Sequence, residues 1–84
     1  MYYVYVLQSL KDMNFYVGFT KDLKLRFEQH RKGSVKSTKE RRPFHLIYYE
    51  ASLDIDDALR REKYLKTHLG RMFLHKRLKS YLTG

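Results

Sequence analysis

The sequence predicts an α+β domain with the element order ββαβαα. Residues 2–8, 14–19 and 44–51 are rich in β-branched and aromatic side chains, which favours three strands. Apolar residues recur at helical spacing after residue 20, after Asp54 and after Gly70, which predicts three helices. A chain of 84 residues without cysteine predicts one domain, residues 1–84, held together by close packing without disulfides.

The first two strands form a predicted β-hairpin that turns at residues 9–12. Symmetric closure on this turn would place Tyr5 opposite Tyr16. Side chains alternate between the two faces of the hairpin. One face is wholly apolar and is predicted to pack in the core; it consists of Val4, Val6, Phe15, Val17 and Phe19. The other face carries both tyrosines and Gly18, where a backbone or a ligand can approach closely. An ordinary cross-strand aromatic pair is the alternative interpretation.

The first predicted helix begins after Thr20, its expected N-cap, and ends at Gly33. Its buried stripe consists of Leu23 and Phe27. Arg26 and His30 lie one turn apart at the edge of this stripe, facing the place where a strand would pack. This placement favours a functional site. The alternative is that Arg26 extends its charge to water and that His30 is simply a half-buried neighbour.

The charge of the chain favours a polyanionic partner, with nucleic acid first. Eighteen Lys and Arg against nine Asp and Glu leave a net charge of +9. An anionic membrane is disfavoured because no helix combines a clean apolar face with a wholly basic one. Residues 31–43 form a basic loop that would either follow a phosphate backbone or remain solvated. Its cations are Arg31, Lys32, Lys36, Lys39, Arg41 and Arg42, with Ser34, Ser37 and Thr38 as further donors.

The second predicted helix, residues 54–67, contains the most unusual residue of the sequence. Its apolar residues are Ile55, Ala58, Leu59 and Leu65, and Glu62 falls in the middle of this stripe with Lys66 beside it. A carboxylate directed into a core is costly unless it is paired or bound to metal. One explanation is an ion pair with Lys66 four residues later. The other is a bound Mg²⁺ or Mn²⁺, which prefers hard oxygen ligands.

Gly70 is expected to end the helical run, so that residues 72–82 form the third helix with Leu74, Leu78, Tyr81 and Leu82 inward. The sequence contains no phosphate-binding glycine loop and no His/Cys metal spacing. It also lacks an apolar run approaching the roughly 18 residues of a membrane span, and shows no signal peptide. We therefore expect a soluble cytoplasmic protein.

Taken together, the motifs resemble those of the GIY-YIG nucleases. The first motif is Tyr3-Val4-Tyr5 and the second is Tyr16-Val17-Gly18. Arg26, His30 and Glu62 follow in the family's order. The resemblance covers essentially the whole chain and is greatest to small stand-alone bacterial members similar to the N-terminal domain of the excinuclease C subunit. Those members share stretches that here read Arg42-Pro43-Phe44, Tyr48-Tyr49-Glu50 and Ala58-Leu59-Arg60-Arg61-Glu62.

This resemblance implies a three-stranded antiparallel sheet flanked by helices and metal-dependent hydrolysis of DNA phosphodiester bonds. Tyr5 and Tyr16 would orient the attacking water, Arg26 would hold the scissile phosphate, and His30 would assist a tyrosine as base. Glu62 would anchor a single Mg²⁺ or Mn²⁺. Because an unperturbed tyrosine has a pKa of about 10, Arg26, Lys66 and the metal are expected to lower it.

The leading hypothesis is therefore a DNA endonuclease directed by structure or lesions, as in repair. Its selectivity would come from DNA shape, a homodimer or another partner. RNA is an alternative substrate, and Lys66 is counted with the loop cations as a nucleic-acid contact. A non-catalytic nucleic-acid-binding module on the same fold is the second hypothesis. A small structural protein whose charge serves only solubility is the third.

Overall fold

The computed structural model describes residues 1–84 and has the α+β class and the ββαβαα order that the sequence predicts, followed by one extra short helix. Its elements are β1 (Tyr2–Ser9), β2 (Phe15–Thr20), α1 (Leu23–Lys32), β3 (Phe44–Ser52), α2 (Ile55–Leu65), α3 (His68–Arg77) and α4 (Lys79–Thr83). A short 3-10 helix, Lys39–Arg41, lies in the loop before β3. None of the helices is long and apolar enough to cross a membrane.

The strands form one antiparallel sheet in the order β2-β1-β3, so the N-terminal strand is central. The sheet separates two apolar clusters, as the alternation of side chains along β1 predicts. The larger cluster packs α2 and α3 against one face and contains Val4, Val6, Phe15, Val17, Ala58, Leu65 and Leu74. The smaller one lies on the face covered by α1 and contains Tyr5, Leu7 and Phe44, with Leu23 and Phe27 packed against it.

The hairpin register differs by two residues from the predicted one. Tyr5 pairs with Gly18, and Tyr16 pairs with Leu7. The predicted turn is too short, because the connection between the strands is formed by residues 10–14. Met13 adopts a φ of 62° within this connection. Since a displacement of two residues preserves the alternation, both tyrosines remain on the predicted face.

The first helix is capped by Asp22, and the prediction of Thr20 as its N-cap is wrong. Thr20 still belongs to β2, where it pairs with Tyr3. The Asp22 carboxylate accepts a hydrogen bond of 3.0 Å from the N–H of Leu25. At the other end, Gly33 has a φ of 83° and terminates the helix as predicted.

The break between the second and third helices precedes Gly70, which lies inside α3, so the predicted stop there is wrong. Thr67 caps α3 by accepting a hydrogen bond of 3.1 Å from the Gly70 N–H. A β carbon at position 70 would overlap the backbone of Tyr64 and Leu65. The glycine is therefore needed for close packing of α3 on the end of α2.

Three other predictions about the helices need correction. The predicted third helix is divided into α3 and α4 by Leu78, which has a non-helical backbone. On α2, Ile55 and Leu59 are each 41% exposed, so the buried stripe is narrower than predicted. Tyr81 is largely exposed, but its hydroxyl donates a hydrogen bond of 2.6 Å to Gln8 Oε1.

Candidate active site

Tyr5 is a buried tyrosine held between β2 and α1. Its ring lies over Gly18. A β carbon at position 18 would overlap the ring and the hydroxyl of Tyr5. Only 1% of the residue is exposed, and its hydroxyl lies 2.7 Å from Nε2 of His30. The missing side chain at Gly18 thus creates the space for the Tyr5 ring.

His30 is fully buried and has hydrogen-bond partners at both ring nitrogens. Its Nδ1 lies 2.8 Å from Oγ1 of Thr38, a buried residue in the loop before β3. The Thr38 hydroxyl donates in turn to the Val35 carbonyl at 3.4 Å, which leaves its oxygen as an acceptor for the His30 Nδ1–H. Nε2 is therefore the acceptor for the Tyr5 hydroxyl, giving the chain Tyr5 to His30 to Thr38.

Thr38 is the site residue whose role sequence reasoning missed. It was expected to donate to phosphate from an exposed loop, whereas its side chain is buried against His30. A threonine eight residues after a helical histidine carries no local signal of this contact. The contact depends on the loop folding back beneath the end of α1.

Burial controls the protonation of both Tyr5 and His30. It lowers the pKa of His30 to about 4, with a further lowering by the Arg26 charge, so the imidazole is neutral at neutral pH. Burial likewise raises the pKa of the Tyr5 phenol, and Arg26 offsets this only in part. Arg26 thus lowers the pKa of this tyrosine as expected, but burial outweighs the effect of Arg26 and the pKa is raised overall.

Tyr16 and Arg26 border the buried pair on the side that solvent reaches. Both are partly exposed. The Tyr16 ring centroid lies 6.4 Å from that of Tyr5 and 5.2 Å from that of His30. Arg26 donates through Nη1 to Gln29 Oε1 at 3.0 Å and lies close enough to Tyr5 to lower its pKa.

Glu62 approaches the same place from α2. Its side chain is 20% exposed and lies 3.1 Å from Lys66 Nζ, which confirms the ion pair considered from the sequence. Its charge contributes to the raised pKa of Tyr5, so it lies within electrostatic range of the phenol. The structure thus gathers Tyr5, Tyr16, Arg26 and His30, and Glu62 lies within electrostatic range of this group.

A second ion pair holds the helix that carries Glu62 against the sheet. Arg61 donates two hydrogen bonds of 2.9 and 3.0 Å to the Glu50 carboxylate on β3, and Tyr48 donates a third of 2.8 Å to the same carboxylate. Bidentate pairing of this kind fixes orientation as well as contributing energy. The neighbouring Glu62 is therefore attached to a rigid part of α2.

Some of the residues predicted to contact nucleic acid are in ion pairs within the chain, and others are not. Arg31 pairs with Glu28, and Arg41 pairs with Asp12 at 2.9 Å. Arg42 donates through Nε to the Lys39 carbonyl at 2.9 Å. Among these predicted contacts, the exposed cations without an ion pair are Lys32, Lys36, Lys39 and Arg42, while Lys66 is engaged by Glu62.

Comparison with known proteins agrees with this arrangement. The family model described as the GIY-YIG catalytic domain matches residues 1–79. The chain belongs to the GIY-YIG family. Domains of this family are generally endonucleases, so the fold is of the nuclease type and nucleic acid is the substrate class that the family implies.

The GIY-YIG relatives of this chain are small stand-alone proteins. It is 40% identical over 68 residues to the UPF0213 protein of Staphylococcus aureus strain Mu3, a match that covers 80% of this chain and 82% of the relative. The UPF0213 protein of strain Mu50 matches to the same extent. The solution NMR structure of the UPF0213 protein BH0048 from Bacillus halodurans is 32% identical with a TM-score of 0.56, covering 90% of this chain and 84% of that one.

Proposed function

We propose that this chain is a divalent-metal-dependent endonuclease that hydrolyses phosphodiester bonds in DNA. The observation that carries the proposal is the grouping of Arg26 and Tyr16 around the buried pair of Tyr5 and His30, with Glu62 within electrostatic range. A guanidinium suits a phosphate diester, and a carboxylate on a rigid helix suits a hard cation. The net charge of +9 favours a polyanionic substrate.

The two tyrosines differ in accessibility, and this difference assigns them different roles. Tyr16 is partly exposed and can orient an attacking water through its hydroxyl. Tyr5 is buried, protonated at neutral pH and committed to His30, so it acts as a positioning residue that fixes the ring of its neighbour. Arg26 holds the phosphate and stabilises the negative charge that develops on its oxygens.

The donor set fits a metal that is shared with the substrate. The chain contains no group of three or more His, Cys, Asp or Glu side chains that could enclose a cation. Mg²⁺, however, is commonly bound through one or two carboxylates, waters and substrate phosphates, and Glu62 would provide such a carboxylate once Lys66 turns away. When bound, the cation supplies Lewis-acid stabilisation of charge on the phosphate.

The test is nicking of supercoiled plasmid by purified protein with Mg²⁺ or Mn²⁺, beside an EDTA control. Glu62→Gln removes the carboxylate charge and should reduce nicking by about 100-fold or more, comparable to losing one preorganised charge-stabilising group. Asp57→Asn is the matched control, because it makes the same change of charge on the same helix at an exposed carboxylate paired with Arg60. It should nick like the unmodified protein.

A non-catalytic nucleic-acid-binding module is the second candidate, because Glu62 belongs to no group of three or more potential metal ligands and is already paired with Lys66. Equal nicking by the Glu62→Gln protein and the unmodified protein would contradict the endonuclease assignment. Salt-dependent DNA binding that survives Glu62→Gln, without metal-dependent nicking, would favour the binding module.

A further inference from the structure

Two cavities lie between α1 and β3, away from the tyrosine site. The first has a volume of about 670 Å³, and its lining includes Tyr3, Tyr49, Lys24 and Glu28. The second has a volume of about 650 Å³ and lies at the other end of the helix. Its lining includes Lys11, Arg31, Lys39 and Arg42.

The two cavities adjoin at an ion pair on α1 and are considered together as one groove. Glu28 lines the first, Arg31 lines the second, and these two side chains are paired. At 100° per residue, Lys24, Glu28 and Arg31 share one flank of α1, whereas Arg26 lies on the other. The α1–β3 groove, defined by these two cavities, is therefore separate from the candidate active site.

The first end of the groove presents an exposed aromatic surface. Tyr49 is 53% exposed on β3, which is an edge strand, and its hydroxyl makes no hydrogen bond within the chain. Its ring packs edge-on against Tyr3, with the centroids 6.0 Å apart and an interplanar angle of 63°. An aromatic ring fixed by one neighbour and otherwise open to solvent is a surface on which a nucleobase stacks.

The other end presents charge suited to phosphates. Four cations line this end against one carboxylate, Glu40, and one of these cations, Arg31, is paired with Glu28. The four are Lys11, Arg31, Lys39 and Arg42, whereas Lys21 and Lys24 line the first end. From Lys24 to Arg31 the helix rises by about 10 Å, which equals about three nucleotides stacked at 3.4 Å each.

We propose that the α1–β3 groove binds an unpaired segment of the nucleic-acid substrate, with a base stacked on Tyr49 and the backbone held at the basic end. An intact duplex does not offer its base faces, so this groove would distinguish strands that carry an unpaired region. The inference rests on the proposed function for its substrate class. It uses residues outside the candidate active site.

The test measures binding in EDTA by fluorescence anisotropy. The probes are a labelled oligothymidylate of about 12 nucleotides, within the range of single-strand site sizes, and a blunt duplex. Tyr49→Ala should weaken binding of the oligothymidylate by about 10-fold and leave duplex binding within about twofold. Tyr49→Phe keeps the ring and should bind like the unmodified protein.

Tyr64→Ala is the matched control, because Tyr64 is a partly exposed tyrosine on α2, outside the groove. It should bind both probes normally, and circular dichroism would confirm that each variant is folded. Equal losses for both probes with Tyr49→Ala, or no loss for either, would overturn the proposal. The proposal would also be overturned if polyglutamate of matched charge displaced the labelled probe as effectively as unlabelled oligothymidylate does. That result would show that the protein recognises charge alone.

Failure of this inference can be told apart from failure of the proposed function. Loss of nicking in Glu62→Gln, combined with unchanged binding in Tyr49→Ala, would retain the endonuclease and exclude the groove. Selective loss of single-strand binding in Tyr49→Ala, without nicking by any form of the protein, would retain the groove and exclude catalysis.

Discussion

The phenol ring of Tyr5 lies over the backbone of Gly18, its partner in the adjacent strand. The contact joins two adjacent strands of the sheet. It also fixes the position from which the Tyr5 hydroxyl reaches His30. The glycine of the Tyr16-Val17-Gly18 motif is therefore a steric requirement of the Tyr5 ring. The position tolerates no side chain while the Tyr5 ring stays in place.

Gly18→Ala should displace the Tyr5 ring and break its hydrogen bond to His30. Overpacking of this kind typically costs about 1 to 3 kcal/mol, which denaturant unfolding would measure, and nicking should fall in parallel. Ser80→Ala is the control, since Ser80 is exposed on α4 and its hydroxyl makes no hydrogen bond within the chain. Unchanged stability in Gly18→Ala would contradict the contact.

Thr38→Val keeps the shape of the side chain but removes the acceptor of the His30 Nδ1–H. Leaving that buried donor without a partner should lower the free energy of unfolding by about 1 to 3 kcal/mol, and nicking should also fall because His30 loses its fixed orientation. Thr38→Ser retains the hydroxyl and should restore most of both. If serine and valine behave alike, the hydroxyl has no role in holding the histidine.

His30 should make the protein less stable as the pH falls from about 6.5 to about 4. Its pKa is lowered to about 4 in the folded chain, so the unfolded chain binds more protons in this range and stability rises with pH. The full difference corresponds to about 3 kcal/mol, complete above pH 6.5 and lost toward pH 4. Urea unfolding across this range would measure it in metal-free buffer.

His30→Gln is the comparison for that titration, because its amide can accept from Tyr5 and donate to Thr38 without titrating. The variant should show a much flatter profile between pH 6.5 and 4.5. His45, His68 and His75 are present in both proteins, so their contributions cancel. Profiles of equal slope would mean that His30 is not the group responsible.

Tyr16→Phe and Tyr5→Phe should separate chemistry from positioning. Tyr16→Phe removes a hydroxyl that solvent reaches, so kcat should fall by about 100-fold with little change in stability. Tyr5→Phe removes the partner of His30 Nε2 and should cost about 1 to 3 kcal/mol of stability, with a smaller fall in kcat. If kcat fell further in Tyr5→Phe than in Tyr16→Phe, Tyr5 rather than Tyr16 would be the residue that orients the attacking water.

The sequence predicts the fold better than it predicts the contacts between the candidate site residues. The alternation of side chains in β1 and β2 depends only on local geometry, so the faces that it predicts are correct. The hairpin register depends on the length of the connection, and nothing local marks Met13 as a residue with positive φ. The partnership of His30 with Thr38 and the raised pKa of Tyr5 arise from burial by distant segments, which local patterns do not contain.

The hydrogen bond from Tyr81 to Gln8 joins α4 to the strand at the centre of the sheet. β1 also needs β3 as its second neighbour, and Val4 and Val6 need Leu65 and Leu74 to complete their cluster. During synthesis, the strand that carries Tyr5 therefore leaves the ribosome long before its packing partners exist. A nascent chain that has emerged only as far as α1 therefore contains Tyr5 and His30 but lacks the strand and the helices that complete the sheet around them.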